Sequence, residues 1–160
     1  MRTNLAIALV RIYAGAALLL TGLRKLTGGW LSAPNDGGKW KLQENLEGQL
    51  PELAKVEWLG WYHDLVRDSF LPNAAVFTYL VVFGEILIGA AFVMGFLTRT
   101  AALFGILMGT TFFLLGMRSG SLLDQIGFSS GPSTLIFLCV LILIADAGRS
   151  FGLDGKLRGA

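Results

Sequence analysis

The sequence is poor in the residues that hold redox centres and metal ions. Cys139 is the only cysteine, so a disulfide or dithiol relay within the chain is excluded, together with four-helix membrane proteins that pass electrons through cysteine pairs. His63 is the only histidine, which excludes a bis-histidine haem and a histidine-rich metal site. The 13 Lys and Arg residues are scattered and the net charge is +2, so no nucleic-acid partner is indicated.

Charged residues are also scarce. They make up 15% of the chain, against about 25% in an average soluble domain, while 54% of the residues are hydrophobic and the mean hydropathy is +0.63. Between positions 77 and 145 the only charged residues are Glu85, Arg99, Arg118 and Asp124. A chain of this length cannot bury so much apolar surface in water, but a lipid bilayer can accept it. The composition therefore predicts an integral membrane protein.

The apolar runs predict an all-α fold, a single domain over residues 1–160 with a bundle of four transmembrane helices. We expect these spans at 5–26, 74–97, 100–117 and 132–147, each close to the roughly 20 residues that a bilayer requires. The second and third spans are joined so closely that they must form an antiparallel hairpin. Small residues recur at helical spacing on both, which favours close packing within one bundle, with a homodimer face as the alternative.

The connection over residues 27–73 differs from the spans. It is polar, and it contains all four tryptophans, a residue type that prefers the headgroup region of a bilayer. Apolar residues at three- and four-residue steps predict an amphipathic helix; they are Val56, Leu59, Tyr62, Val66 and Phe70. We predict an interfacial helical segment that lies on the membrane or caps the bundle. Its role is either simple anchoring or that of a lid over a site at the bundle mouth.

Arg11 and Glu85 lie inside apolar spans, where a charge costs at least about 2.5–3.5 kcal/mol at mid-span. From the side of the long connection, Arg11 is at a depth of about 22 Å and Glu85 at about 15 Å, at 1.5 Å per residue. The difference is within reach of an arginine side chain, so we predict a buried Arg11–Glu85 ion pair. The pair has three possible roles: it locks two helices together, it forms the polar wall of a quinone or substrate pocket, or it is part of a proton relay. Tyr13 could add a hydroxyl group to the pocket.

A second group of candidates lies near the connection. Arg24 and Lys25 close the first span, where they are expected to extend to the lipid headgroups. The alternative is that they attract an anionic substrate to the outer mouth of the bundle, with Arg118 from the connection between spans three and four. The residues alone assign no catalytic group and predict no intrinsic cofactor; a diffusible quinone is the one redox partner they leave open. An even number of spans places both termini on one side, and the density of basic residues there favours the cytoplasm.

Several stretches together resemble the DoxX family, which includes the DoxD-type small subunit of thiosulfate:quinone oxidoreductase. They are Arg11–Gly15 with Gly22–Leu26, Gly84–Gly89 with Gly95–Ala102, Asp146–Asp154, and the pairs Trp61-Tyr62 and Leu71-Pro72 before span two. The resemblance covers nearly the whole chain, and the tryptophan-containing connection is closer to the DoxD type.

The resemblance implies a bacterial or archaeal inner-membrane protein with a role in membrane oxidoreduction, with quinone as acceptor. The first hypothesis is a membrane subunit of a quinone-linked oxidoreductase or respiratory-type complex that acts on sulfur compounds, catalytic only with a partner subunit. The second is an accessory subunit that docks onto a larger membrane complex, and the third is a small-solute or proton transporter. Expected partners are the lipid bilayer and other membrane subunits or further copies of the chain.

Overall fold

The computed structural model describes residues 2–31, 38–117, 131–148 and 152–157, and within these ranges the chain contains helices and turns but no strand. The described ranges contain seven α-helices: α1 (Arg2–Thr27), α2 (Lys41–Leu53), α3 (Gly60–Leu65), α4 (Ala74–Met94), α5 (Thr98–Leu115), α6 (Gly131–Ile144) and α7 (Leu153–Leu157). A 3₁₀ turn, Glu57–Leu59, precedes α3, and a π-helical turn, Val66–Phe70, follows it.

The four spans predicted from the sequence correspond to α1, α4, α5 and α6. The first three are long and apolar enough to cross a membrane, whereas α6 is apolar but has 14 residues, a length of about 21 Å. Helix α1 packs along α4 and α5 packs along α6, and contacts of α4 with α5 and of α1 with α6 complete a four-helix membrane bundle. The all-α transmembrane fold is therefore confirmed.

The hairpin between α4 and α5 lies earlier in the chain than the sequence indicated. The predicted span 74–97 ends earlier, at Met94, because Gly95 adopts the left-handed conformation, with a φ of 65°. Leu97 also has a positive φ, of 49°, and α5 begins directly after it at Thr98. The reversal thus takes three residues.

Glycines allow the helix backbones of the bundle to touch. A Cβ atom on Gly89 of α4 would lie 2.6 Å from the backbone nitrogen of Leu19 on α1, and one on Gly15 of α1 would lie 2.8 Å from the carbonyl oxygen of Gly89. On α5, a Cβ on Gly105 would lie 2.6 Å from Cys139 Sγ of α6. Small residues are the usual means by which membrane helices approach closely. The predicted packing role of the small residues within one bundle is confirmed.

The long connection forms a cap on one end of the bundle. Its inward apolar residues form a common core with the end of α5; they are Leu42, Leu46, Leu53, Leu59, Tyr62 and Val66, packed with Leu115 and Met117. The hydroxyl group of Tyr62 donates a hydrogen bond of 2.7 Å to the carbonyl of Thr111, and burial raises the pKa of this phenol well above its ordinary value. Trp58 and Trp61 point outward. The amphipathic segment predicted from the sequence therefore caps the bundle.

The contact between α1 and α4 is tested by substituting two glycines of the same helix. Gly89→Ala should lower the free energy of unfolding in detergent by about 1–3 kcal/mol relative to Gly84→Ala, because overpacking forces backbones apart. A Cβ on Gly84 meets only Met108 Sδ, at 3.8 Å, an ordinary contact. Both substitutions gain the same helix propensity, so the difference isolates the contact. Equal stability of the two variants would contradict this packing.

Candidate functional site

Glu85 is buried in the bundle interior and is held by Lys25. Its Oε1 atom lies 2.5 Å from Lys25 Nζ, and both side chains are largely shielded from solvent. The α1–α4 register explains this pair, because Gly22 of α1 packs directly against Glu85 and Ile86 of α4. Lys25 follows Gly22 by about one helical turn, so its side chain reaches the same level.

The Arg11–Glu85 ion pair expected from the sequence does not form. Gly15 packs against Gly89 and Phe92, which places Arg11 one turn further along α1, at the level of Gly95. The depth estimate assumed that α1 ends where α4 begins. In the structure α4 begins about six residues, or roughly 9 Å, beyond the end of α1, so Arg11 and Glu85 are separated along the bundle axis.

Arg11 belongs instead to a polar junction at the opposite end of the bundle. It is fully buried, and its Nη1 atom donates a hydrogen bond of 2.8 Å to the carbonyl of Ala147. The guanidinium group packs against the backbones of Gly95 and Gly152, where a Cβ atom would collide with it. The carboxylate of Asp154 is close enough to interact favourably with the positive charge of Arg11. Through these contacts Arg11 joins α1 to the chain segments that follow α4 and α6.

Asp154 also fixes the start of α5. Its two carboxylate oxygens accept hydrogen bonds of 2.9 Å from the backbone N–H groups of Leu97 and Thr98, while its own N–H group donates to the carbonyl of Gly95. A carboxylate at a helix N-terminus satisfies donors that have no partner within the helix and interacts favourably with the helix dipole. This junction closes the bundle at the side of the termini.

Lys25 is surrounded on several sides at the other end of α1. Its ammonium nitrogen lies 4.9 Å from the ring centroid of Trp30 and 5.6 Å from that of Phe112, in addition to its contact with Glu85. Gly29 follows α1 with a φ of 76°, so the chain turns back directly before Trp30. Such aromatic rings attract a cation and hold it in place. Lys25 is consequently directed into the bundle.

Glu85 retains unused hydrogen-bonding capacity. Its Oε2 atom is buried and has no hydrogen-bond partner among the described residues, although the side chain lies beside the Lys25 ammonium. A buried carboxylate oxygen without a donor is unfavourable by about 1–3 kcal/mol or more. The pair can therefore gain free energy from a further donor at this position.

A cavity of about 690 Å³ begins at this ion pair and runs between α1, α5 and α6. Its polar lining comes from the end near the cap, and consists of Thr21, Lys25, Gln49, Glu85 and Thr134. The lining further along is mainly apolar, and includes Ala14, Ala17, Leu18, Leu135 and Leu138, with Tyr13 at the far end. Its volume lies within the range of about 300–1,000 Å³ found for small-molecule sites, and the cavity is open on the side where Tyr13, Ala17 and Thr21 are exposed.

The comparisons with known proteins identify the family. The family model of DoxX matches residues 6–116, which include most of α1, the cap, α4 and α5 and therefore both Lys25 and Glu85. The chain belongs to the DoxX family. No curated protein matches the chain, and no solved structure does either. DoxX is a family of membrane proteins that is often associated with oxidoreductase-related roles.

The structure separates the site residues predicted for this DoxX protein. Tyr13 and Glu85 line the cavity, while Arg11 lies in the junction at the other end of the bundle. Lys25 was expected at an outer, anion-attracting mouth or among the headgroups, but it turns inward to Glu85. Arg24 is exposed, so its predicted attraction of anions stays a prediction. Arg118 lies outside the described residues.

Sequence reasoning missed the other polar residues of the cavity. Thr21 precedes Lys25 by four residues and therefore shares its helix face, a signal that was available from the sequence. Gln49 belongs to the cap, and its place in the cavity depends on how α2 folds back over the bundle. No group of side chains suited to a metal ion occurs in the described ranges. The polar end thus offers an ammonium, a carboxylate and neutral amide and hydroxyl groups.

The ion pair can be tested through stability. Lys25→Met should lower the free energy of unfolding in detergent by about 3 kcal/mol, because removing one partner of a buried pair leaves the other charge uncompensated. The double variant Lys25→Met/Glu85→Leu should recover most of this loss. Arg24→Met, which changes an exposed neighbour, is the matched control and should stay near the wild type. A Lys25→Met protein as stable as the control would contradict the pair.

The junction at the other end is tested through Asp154. Asp154→Ala should cost about 0.5–2 kcal/mol of stability, as is found when a side chain that caps a helix is removed. Asp64→Ala removes an exposed carboxylate from the cap and should have a much smaller effect. Thermal unfolding of both variants in the same detergent measures the difference. An Asp154→Ala protein no less stable than Asp64→Ala would show that the carboxylate does not anchor α5.

Proposed function

We propose that this protein is the quinone-binding membrane subunit of an oxidoreductase complex, and that its cavity holds the quinone head group beside Lys25 and Glu85. One observation carries the proposal: a buried ion pair forms the polar end of an otherwise mainly apolar cavity inside the membrane bundle. Ionisable residues within membrane spans are rare and commonly mark substrate sites or proton paths.

The polar end suits the chemistry of a quinone. A quinone carbonyl oxygen accepts a hydrogen bond, and the Lys25 ammonium group has three N–H donors of which Glu85 occupies one. Reduction of a quinone to a quinol consumes two electrons and two protons. A hydroxyl group of the resulting quinol can donate to Glu85 Oε2, the carboxylate oxygen without a partner among the described residues. Lys25 and Glu85 thus complement both the oxidised and the reduced head group.

The electrons are proposed to come from a partner subunit. The sequence has one cysteine and one histidine, so the chain offers few residues to bind a redox centre of its own. A reduced sulfur compound is the donor class that the resemblance to the DoxD type suggests. Oxidation of two thiosulfate ions to tetrathionate forms one S–S bond and releases the two electrons that one quinone accepts. The two protons then enter through the polar end of the cavity.

The proposal predicts quinone binding that depends on Glu85. The purified protein in detergent should bind a short-chain benzoquinone or naphthoquinone, as measured by calorimetric titration. Glu85→Gln should weaken binding of the quinol form about 10-fold or more, because a hydrogen bond to a charged acceptor is worth about 1.5–3 kcal/mol. The matched control, Arg24→Met, should keep its affinity within about twofold.

Two outcomes would count against this function. Absence of binding of either quinone class to the folded wild-type protein would remove it. The second outcome is a stoichiometric complex, isolated from membranes, that contains this chain as a subunit. If Glu85→Gln leaves the quinone turnover of that complex unchanged, the accessory role is favoured instead. In that case the chain would contribute docking surface, with the quinone bound elsewhere in the complex.

A further inference from the structure

The cavity changes in character along its length. On α1 it is lined by Lys25, Thr21, Ala17 and Tyr13 at four-residue steps, with Ala14 and Leu18 beside them. Lys25 and Tyr13 are twelve positions apart, which corresponds to about 18 Å along the helix axis. The cavity is therefore far longer than a single quinone ring, and its polar groups are concentrated at the end near the cap.

The apolar part of the cavity lies at the lipid-facing side of the bundle. Ala17 and Tyr13 are exposed on α1, and both line the cavity. Across the groove stand Leu135 and Leu138 of α6. Because Ala17 carries only a methyl group, it leaves space between α1 and α6 that longer side chains occupy elsewhere on the surface of α1. The groove is thus continuous with both the ion pair and the surrounding lipid.

We propose that the ligand of this cavity is a quinone with one long apolar tail, and that the tail lies in the groove between α1 and α6 and leaves for the bilayer beside Tyr13. This inference rests on the proposed quinone function and specifies its substrate class and its route of entry. The head group reaches Lys25 and Glu85 by moving along the groove from the lipid. A water-soluble quinone without a tail fills only the polar end.

The size of the cavity favours a single tail. Its volume lies within the range of about 300–1,000 Å³ found for sites that enclose one drug-sized molecule. A ring with the first part of one chain is of this size, and the remainder of the chain extends into lipid. A phospholipid would have to place two chains in a groove that lies between only two helices on its open side. The polar end also offers one ammonium group that a carboxylate already contacts, which disfavours a phosphate group.

The path of the tail can be mapped by photolabelling. The probe is a benzoquinone whose alkyl tail carries a diazirine several carbons from the ring, bound to the full chain in nanodiscs. Illumination should label residues 13–18 of α1 and 135–138 of α6, and an excess of unlabelled tailed quinone should remove the label. Ala17→Phe should reduce this labelling at least fivefold, because the larger side chain fills the groove. The affinity for a tailless benzoquinone should stay within about threefold.

A matched control comes from the same helix. Leu20 is exposed on α1 but does not line the cavity, so Leu20→Phe should leave the labelling unchanged. Two results would overturn the tail path if the tailless benzoquinone still binds. One is labelling of the outer face of α4, at Leu80 or Leu87, and the other is labelling that Ala17→Phe does not reduce. Native mass spectrometry provides a further test. A phospholipid that stays bound to the protein and prevents binding of the tailed quinone would overturn the tail path as well. If neither quinone binds, the proposed function itself fails.

Discussion

The close approach of α1 and α4 determines which charged groups of this bundle can meet. Gly15 and Gly89 bring the two backbones into contact, and Gly22 continues the contact to Ile86. Backbones that touch at several levels cannot slide past one another by a turn without collisions. The resulting register places Lys25 beside Glu85 and places Arg11 beside Gly95. The ion pair and the position of Arg11 at the far junction are consequences of this single packing.

The two buried cations of α1 illustrate how surroundings decide between structure and chemistry. Arg11 donates to the carbonyl of Ala147 and packs against the backbones of Gly95 and Gly152, so the chain itself surrounds its guanidinium group. Lys25 faces a cavity and contacts a carboxylate that has one oxygen without a hydrogen-bond partner in the described part of the chain. Both charges avoid the cost of burial in lipid, but of the two only Lys25 lines the cavity. This contrast is the reason to place the proposed function at Lys25 and Glu85.

Hydropathy and residue spacing were sufficient to predict the four spans, the hairpin between the second and third, and the amphipathic cap, because each depends on local sequence. The partner of Glu85 could not be obtained in this way. A depth count locates a residue along its own helix, but the offset between two helices depends on contacts such as that of Gly89 with Leu19. An error of about six residues in the offset between α1 and α4 was enough to predict Arg11, and not Lys25, as the partner of Glu85. Gln49 was missed for a related reason, since the folding of α2 over the bundle is a tertiary feature.

The position of the ion pair also assigns a side of the membrane to the proposed chemistry. Lys25 lies two residues before the end of α1, whereas the Arg11 junction lies about 21 Å further along the bundle, at the side of the termini. A proton that reaches Glu85 by the shortest path therefore passes the cap and its residue Gln49, without crossing the apolar core formed around Phe92 and Ile142. This apolar core opposes movement of charge to the other side. A donor subunit that reduces quinone at this site would accordingly act from the side on which the cap lies. Such a subunit would contact the cap.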